Sequence, residues 1–188
     1  MSLREFAKTT GSLTAEPGKT FTLASGKQSD RYFDARRVAL ADQDRLNEIA
    51  ERICGHVSPD VVAIGAVPTG GLVLLGPVLL AARNYLHTQP LVGFYVRDEP
   101  KSYGTGNQIE GALALAPPGP VCLIEDTVST GQGLLPSIAL LDQCGRKVSE
   151  VVCVVDRGLG GRERLGALGI PLRALFTLDD SGNLAEAA

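Results

Sequence analysis

The sequence has no tryptophan, one methionine and only two histidines, His56 and His87. Its four cysteines, Cys54, Cys122, Cys144 and Cys153, never form a CxxC pair. So sparse a set of nitrogen and sulfur ligands argues against a zinc cluster. It also supports no Ser–His–Asp or Cys–His nucleophile. There is no basic excess: 18 Lys and Arg stand against 21 Asp and Glu, for a net charge of −3. A general nucleic-acid binder usually carries the opposite balance. Long apolar runs are missing too. GLVLLGPVLLAA (71–82) is the longest, closes at Arg83, and is too short to span a bilayer. It reads as a buried helix. MSLREFAKTT has charges where a signal peptide needs an apolar core. PGKT (17–20) lacks the first glycine of a P-loop, because position 13 is Leu13. GLGGRERLG (158–166) has its glycines in the wrong register for a dinucleotide fingerprint. These absences predict a soluble, cytoplasmic protein with reduced cysteines, no membrane contact and no nucleic-acid partner.

What is present is a core that forms strands. Apolar residues make up 44% of the 188 and charged residues 21%. That predicts one domain, residues 1–188, with a sizeable core. Residues 42–57 put Leu46, Ile49, Ala50, Ile53 and Val57 on one helical face. Five runs rich in Val, Ile and Leu follow: DVVAIGAV (60–67), LVGFYVR (91–97), PVCLIED (120–126), KVSEVVCVVD (147–156) and PLRALFTLD (171–179). Helical patterns at 70–86, 132–144 and 161–168 separate most of them. Wholly apolar strands alternating with helices predict an α/β fold, a mainly parallel sheet with helices on both faces. Three of the cysteines are expected to be small core residues. FTLASGKQSDRYFDARR (21–37) is polar, cationic and without a clean period. It predicts an irregular or short-stranded cap, built within residues 1–40.

Ligands of such sheets bind where the carboxyl ends of strands open into loops. Three of those loops are chemically unusual: GAVPTGG (65–71), EDTVSTGQG (125–133) and DRGLGGRE (156–163). A fourth segment, RDEPKSYGTGNQIEG (97–111), is long, polar and glycine-bearing, as lids are. In VCLIEDTVSTGQG (121–133) a strand ends in two acids, Glu125 and Asp126, followed by Ser129, Thr130 and Gly131. A helix comes next, with Leu134, Leu135, Ile138, Leu141 and Cys144 on its apolar face. Backbone N–H groups at a helix start suit a phosphate. Carboxylates do not, and suit sugar hydroxyls or a divalent cation instead. The stretch therefore predicts a sugar-phosphate site. Taken alone, the acid pair also fits an ordinary strand end followed by capping residues.

The ordered set of motifs resembles the type I phosphoribosyltransferase family. VCLIEDTVSTGQG is similar to that family's phosphoribosyl-pyrophosphate (PRPP) motif. FTLASGKQSDRYFD, GAVPTGG, RDEPKSYGTGNQIEG and VVDRGLGGRE follow the order of its orotate phosphoribosyltransferase branch, over nearly the whole chain. The resemblance implies transfer of 5-phosphoribosyl from PRPP to orotate, giving orotidine 5′-monophosphate and pyrophosphate for pyrimidine biosynthesis. It implies Glu125 and Asp126 on the ribose hydroxyls, with Asp126 lending charge to the reacting centre. Thr127, Ser129, Thr130, Gly131 and Gly133 would bind the 5′-phosphate, and Thr69, Gly70 and Gly71 the pyrophosphate. Arg97 and Lys101 would neutralise the leaving group from the lid. Tyr32, Phe33, Arg157 and Lys27 would hold orotate. Mg2+ would be held mainly through PRPP and water, near Glu125 and Asp126. A homodimer is also implied, with loop 98–111 acting in trans. Ala24, Gly70, Asp98 and Tyr103 depart from the common pattern, since relatives often carry a cation there. Lys27, Arg31, Arg36 and Arg37 are the cations that the cap offers in compensation. Two other readings use the same residues: a type I phosphoribosyltransferase for a different base, and a non-catalytic PRPP-binding regulator. The second would need a nucleic-acid-binding element, which this acidic chain does not display.

Overall fold

The computed structural model describes residues 13–15, 20–22, 28–29, 31–85, 91–99, 107–178 and 184–187. In the N-terminal part, β1 (Leu13–Ala15) pairs antiparallel with β4 (Arg31–Phe33), and β2 (Phe21–Thr22) with β3 (Gln28–Ser29). Two short helices follow. Asp34 caps α1 (Ala35–Ala41) by accepting from the Arg37 N–H at 3.2 Å. Asp42 is extended, ends α1, and caps α2 (Gln43–His56) by accepting from the Asp44 and Arg45 N–H groups. Such caps satisfy donors that the first turn of a helix leaves open. The face of α2 is as the periodicity requires: Ile49, Ala50 and Ile53 are buried.

The main sheet has seven strands. They are β5 (Ala63–Ala66), β6 (Val92–Val96), β7 (Ile109–Gly111), β8 (Val121–Val128), β9 (Val148–Asp156), β10 (Leu172–Leu178) and β11 (Leu184–Glu186). Their order is β11-β10-β9-β8-β5-β6-β7. The five central strands are parallel, and an antiparallel strand closes each edge. The sheet buries both faces, so successive strand residues feed two different cores. Cys122, Ile124, Val152 and Val154 join α1, α2 and α3 (Gly70–Tyr85). Val121, Leu123, Val151 and Cys153 join α4 (Leu135–Gln143) and α5 (Gly161–Gly166). From β5 the chain steps outward to β6, then returns to the other side of β5 as β8. The loops after β5 and β8 therefore diverge, and such a switch point opens a crevice.

Four local expectations need correction. Helix α3 is not buried all round: Leu72, Gly76 and Leu80 lie outward, with Leu72 38% and Leu80 66% exposed. One face of a helix packing on a sheet leaves the other outside. The segment 97–111 is not structureless throughout. Its end forms β7, which pairs antiparallel with β6 on the sheet edge, and the Arg97 N–H donates to the Gln108 carbonyl at 2.9 Å. The strand holding the acid pair runs on to Val128, because β9 gives it partners as far as Asp156. Cys144, expected on the apolar helix face, is exposed at the end of α4, while Cys54, Cys122 and Cys153 are buried. Among the described residues no helix is long and apolar enough to cross a membrane.

Candidate active site

The loop after β8 is shaped by glycine. Gly131 has φ of 70°, a left-handed backbone that residues with a Cβ rarely adopt. A single 3-10 turn, Gln132–Leu134, then leads into α4. The loop is braced from behind by α5. A Cβ on Gly161 would come within 2.7 Å of the Ser129 carbonyl oxygen, so that glycine allows the close approach. Arg164 donates from Nη1 to the Thr130 carbonyl at 2.5 Å. Its own loop is held by Asp156, which accepts from the Gly158 N–H at 2.9 Å and pairs with Arg162 at 3.2 Å. Asp156 and Gly161 fall in the DRGLGGRE motif, but their structural roles, and Arg164, were not legible in it. The Gly160–Gly161 pair was the available signal, and Gly161 packs against the loop after β8.

A cavity of about 390 Å³ opens at the switch point. Val67 and Pro68 line it from the β5 side, Asp98 from the lid, and Glu125, Thr127 and Ser129 to Gly133 from β8 and its loop. It thus gathers Glu125, Thr127, Ser129, Thr130, Gly131 and Gly133 from the predicted set. A second cavity shares Pro68 and Asp98 with it and adds Leu72, Tyr95, Arg97 and Glu99. Arg97 stands there, after β6. The backbone of Arg157 donates to the Val128 carbonyl at 2.8 Å, which brings the end of β9 beside the loop after β8. Tyr32 and Phe33 fall in β4, and Lys27 and Lys101 lie outside the described residues.

The two acids are not equivalent. Both side chains reach the start of α3, but their surroundings differ. Glu125 lines the cavity, and its Oε1 accepts from the N–H groups of Gly71 at 3.0 Å and Asp126 at 2.9 Å. Burial raises its pKa to about 9, with the negative charge of Asp126 adding to the effect. Asp126 lies against the start of α3, where a Cβ on Gly70 would be 2.1 Å from its Cγ. Its Oδ1 accepts from the Thr127 N–H at 2.7 Å, and Arg36 approaches its Oδ2 at 3.8 Å. Gly71 is needed for a related reason: its Cβ would be 2.3 Å from the Ile124 carbonyl oxygen. Gly70 and Gly71 therefore seat the helix start on the acid strand. The peptide between Pro68 and Thr69, in the same loop, is cis. A different buried acid, Glu150, sits near the start of β9 and is satisfied structurally by Ser58 and Arg173. Burial alone does not mark a site.

The arrangement sets a glycine-shaped loop and the carboxyl of Glu125 around one cavity, with Asp126 beside the start of α3. No protein-family model matches the chain. Curated relatives do. The chain is 33% identical to an orotate phosphoribosyltransferase of Sorangium cellulosum over 164 residues, covering 86% of this chain and 84% of that one. It is 32% identical to one of Mycobacterium avium over 180 residues, covering 96% of each. Among solved structures, orotate phosphoribosyltransferase from Aeropyrum pernix superposes with a TM-score of 0.73 at 29% identity, over 94% of this chain and 95% of that chain.

Proposed function

This chain belongs to the orotate phosphoribosyltransferase family, and from that premise we propose how its own residues transfer 5-phosphoribosyl from PRPP to orotate, giving orotidine 5′-monophosphate and pyrophosphate. The observation that carries this reading is the cavity in which Glu125 and Thr127 meet the Ser129–Gly133 loop. The loop takes the 5′-phosphate and the acid pair takes the ribose hydroxyls. Glu125 and Asp126 each hydrogen-bond a ribose hydroxyl. As pyrophosphate departs, the ribosyl centre becomes cationic, and the charge of Asp126 is preorganised beside it. No nucleophilic side chain is required. The protein holds the donor, the acceptor base and the leaving group in line. Arg97 and Lys101 meet the leaving pyrophosphate. Arg157, with Tyr32, Phe33 and Lys27 of the cap, receives orotate, whose carboxylate matches a guanidinium fork.

The donor set fits Mg2+ carried in by the diphosphate better than a resident ion. Among the described residues no group of three potential ligands converges. Glu125 and Asp126 each have an oxygen already bonded to backbone N–H groups. Mg2+ typically keeps its waters and binds one or two carboxylates plus phosphate oxygens. When bound it neutralises charge on the diphosphate.

We also propose a cytoplasmic homodimer. The outward stripe of α3 supports it: Leu72 and Leu80 are exposed, and a Cβ on Gly76 would meet nothing within 4 Å, so a second helix could approach closely. Leu72 shares a cavity with Arg97, Asp98 and Glu99, so this stripe runs to the base of the lid. Four free cysteines suit a reducing compartment.

The decisive test is loss of orotate absorbance on adding PRPP and Mg2+, with uracil, adenine and hypoxanthine as alternative bases. Orotate alone should be consumed. Turnover of another base in place of orotate would overturn the base assignment, and binding of PRPP without turnover of any base would favour a regulator.

A further inference from the structure

Arg36 is the second residue of α1, and its side chain reaches from the cap toward β8. Its Nε stands 3.4 Å from Asp34 Oδ1 and 3.8 Å from Asp126 Oδ2. The Arg36 side chain is 40% exposed and that of Asp126 20%. Arg37, its neighbour, is exposed and meets Asp34 through its backbone N–H. Of these two arginines, Arg36 is the one that the geometry brings to Asp126. The contact with Asp126 is long for a charge-assisted hydrogen bond, which is usually about 2.7–2.9 Å. The carboxylate anchors the arginine without drawing it in fully. A guanidinium is also a planar fork of five donors, shaped for phosphate oxygens.

We infer that Arg36 ligates the diphosphate of PRPP, and the pyrophosphate product, as a cationic clamp contributed by the cap. The inference rests on the PRPP reading of the acid pair. In PRPP the diphosphate is on the ribose carbon next to the one whose hydroxyl the acids hold. A cation next to Asp126 is therefore beside the diphosphate when the hydroxyl is in place. The cap then serves both ends of the reaction: its aromatic strand receives the base, and its helix holds the leaving group. Asp34 keeps the arginine in position by accepting from its Nε while capping the same helix.

Calorimetric titration of Mg2+–PRPP and Mg2+–pyrophosphate into the full-length protein tests this, using wild type, Arg36→Ala, Arg36→Gln and Arg36→Lys. Arg36→Ala and Arg36→Gln should weaken both ligands about tenfold, the loss of one charged phosphate contact. Arg36→Lys should recover most of that, and the KM for orotate at saturating PRPP should stay within about twofold of wild type. If Arg36→Ala does not fold, Arg36→Gln decides, because it keeps side-chain length and loses the charge. Unchanged pyrophosphate affinity in the neutral variants overturns the inference, even with reduced turnover, because Arg36 would then act only by positioning Asp126. Failure of wild type to bind PRPP or pyrophosphate sinks the PRPP reading itself, and is visible before any variant is compared.

Discussion

Gly70 and the carboxylate of Asp126 compete for one space: a Cβ at position 70 would stand 2.1 Å from Asp126 Cγ. Gly70→Ala must push that carboxylate aside. Overpacking of this kind destabilises by about 1–3 kcal/mol. In the proposed reaction the displaced group is the charge beside the reacting centre, so kcat should fall more than about tenfold, on the order of removing one preorganised electrostatic partner. Steady-state kinetics together with thermal unfolding check both. Full activity in Gly70→Ala would mean that Asp126 works from a different position.

Glu125 gives the fold a pH dependence. Burial, then the charge of Asp126, raises its pKa from an ordinary 4.5 to about 9. The folded state thus keeps a proton that the unfolded chain releases above 4.5. The stabilisation this proton provides is complete below 4.5 and is lost as pH rises through about 9. Glu125→Gln mimics the protonated form and cannot ionise. Its Tm, relative to wild type, should therefore climb between pH 5 and pH 9. Parallel Tm curves for the two proteins over that range would contradict the assignment.

The phosphate loop should loosen when its brace is removed. Arg164 bonds to the Thr130 carbonyl from outside the cavity. Arg164→Ala should raise the KM for PRPP by roughly two- to tenfold, the range expected for losing an exposed hydrogen bond worth about 0.5–1.5 kcal/mol. The KM for orotate should move little. An equal rise for both substrates would indicate a general loosening of the sheet edge.

Subunit mixing tests the lid in trans. Lys101→Ala and Asp126→Asn chains should each be nearly inactive. Exchanged into heterodimers, they create one site with both defects and one with neither. Activity should return toward about half of wild type if the sites act independently. Verified heterodimers as inactive as their parents would show that the loop serves its own subunit.

Much of the site was legible because its chemistry is local. An apolar run, then acids, two hydroxyls and glycines within residues 121–133, specify a strand, a glycine-shaped loop and a helix start from the chain itself. The amphipathic pattern of 42–57 likewise fixed α2 to within a residue of its ends, since one periodic face must be buried. Apolar strands between helices called for a two-faced parallel sheet, because only a covered sheet can bury such runs.

Other features depended on partners distant in sequence. Glu125 and Asp126 look alike in the chain. Only the packing of α3 onto β8 buries one against backbone donors and presses the other against Gly70 and Arg36. β8 continues past the acids because β9 supplies its hydrogen bonds, and no local residue announces that. Gly161 and Arg164 brace the phosphate loop from more than 30 positions away. Arg36 was one of four cations in the cap until the fold brought it to Asp126. Residue types and their spacing determined which chemistry the chain carries. The pairing of β5 with β8 decided which of those groups meet and in what surroundings, because burial and electrostatic coupling arise only between surfaces that folding brings together.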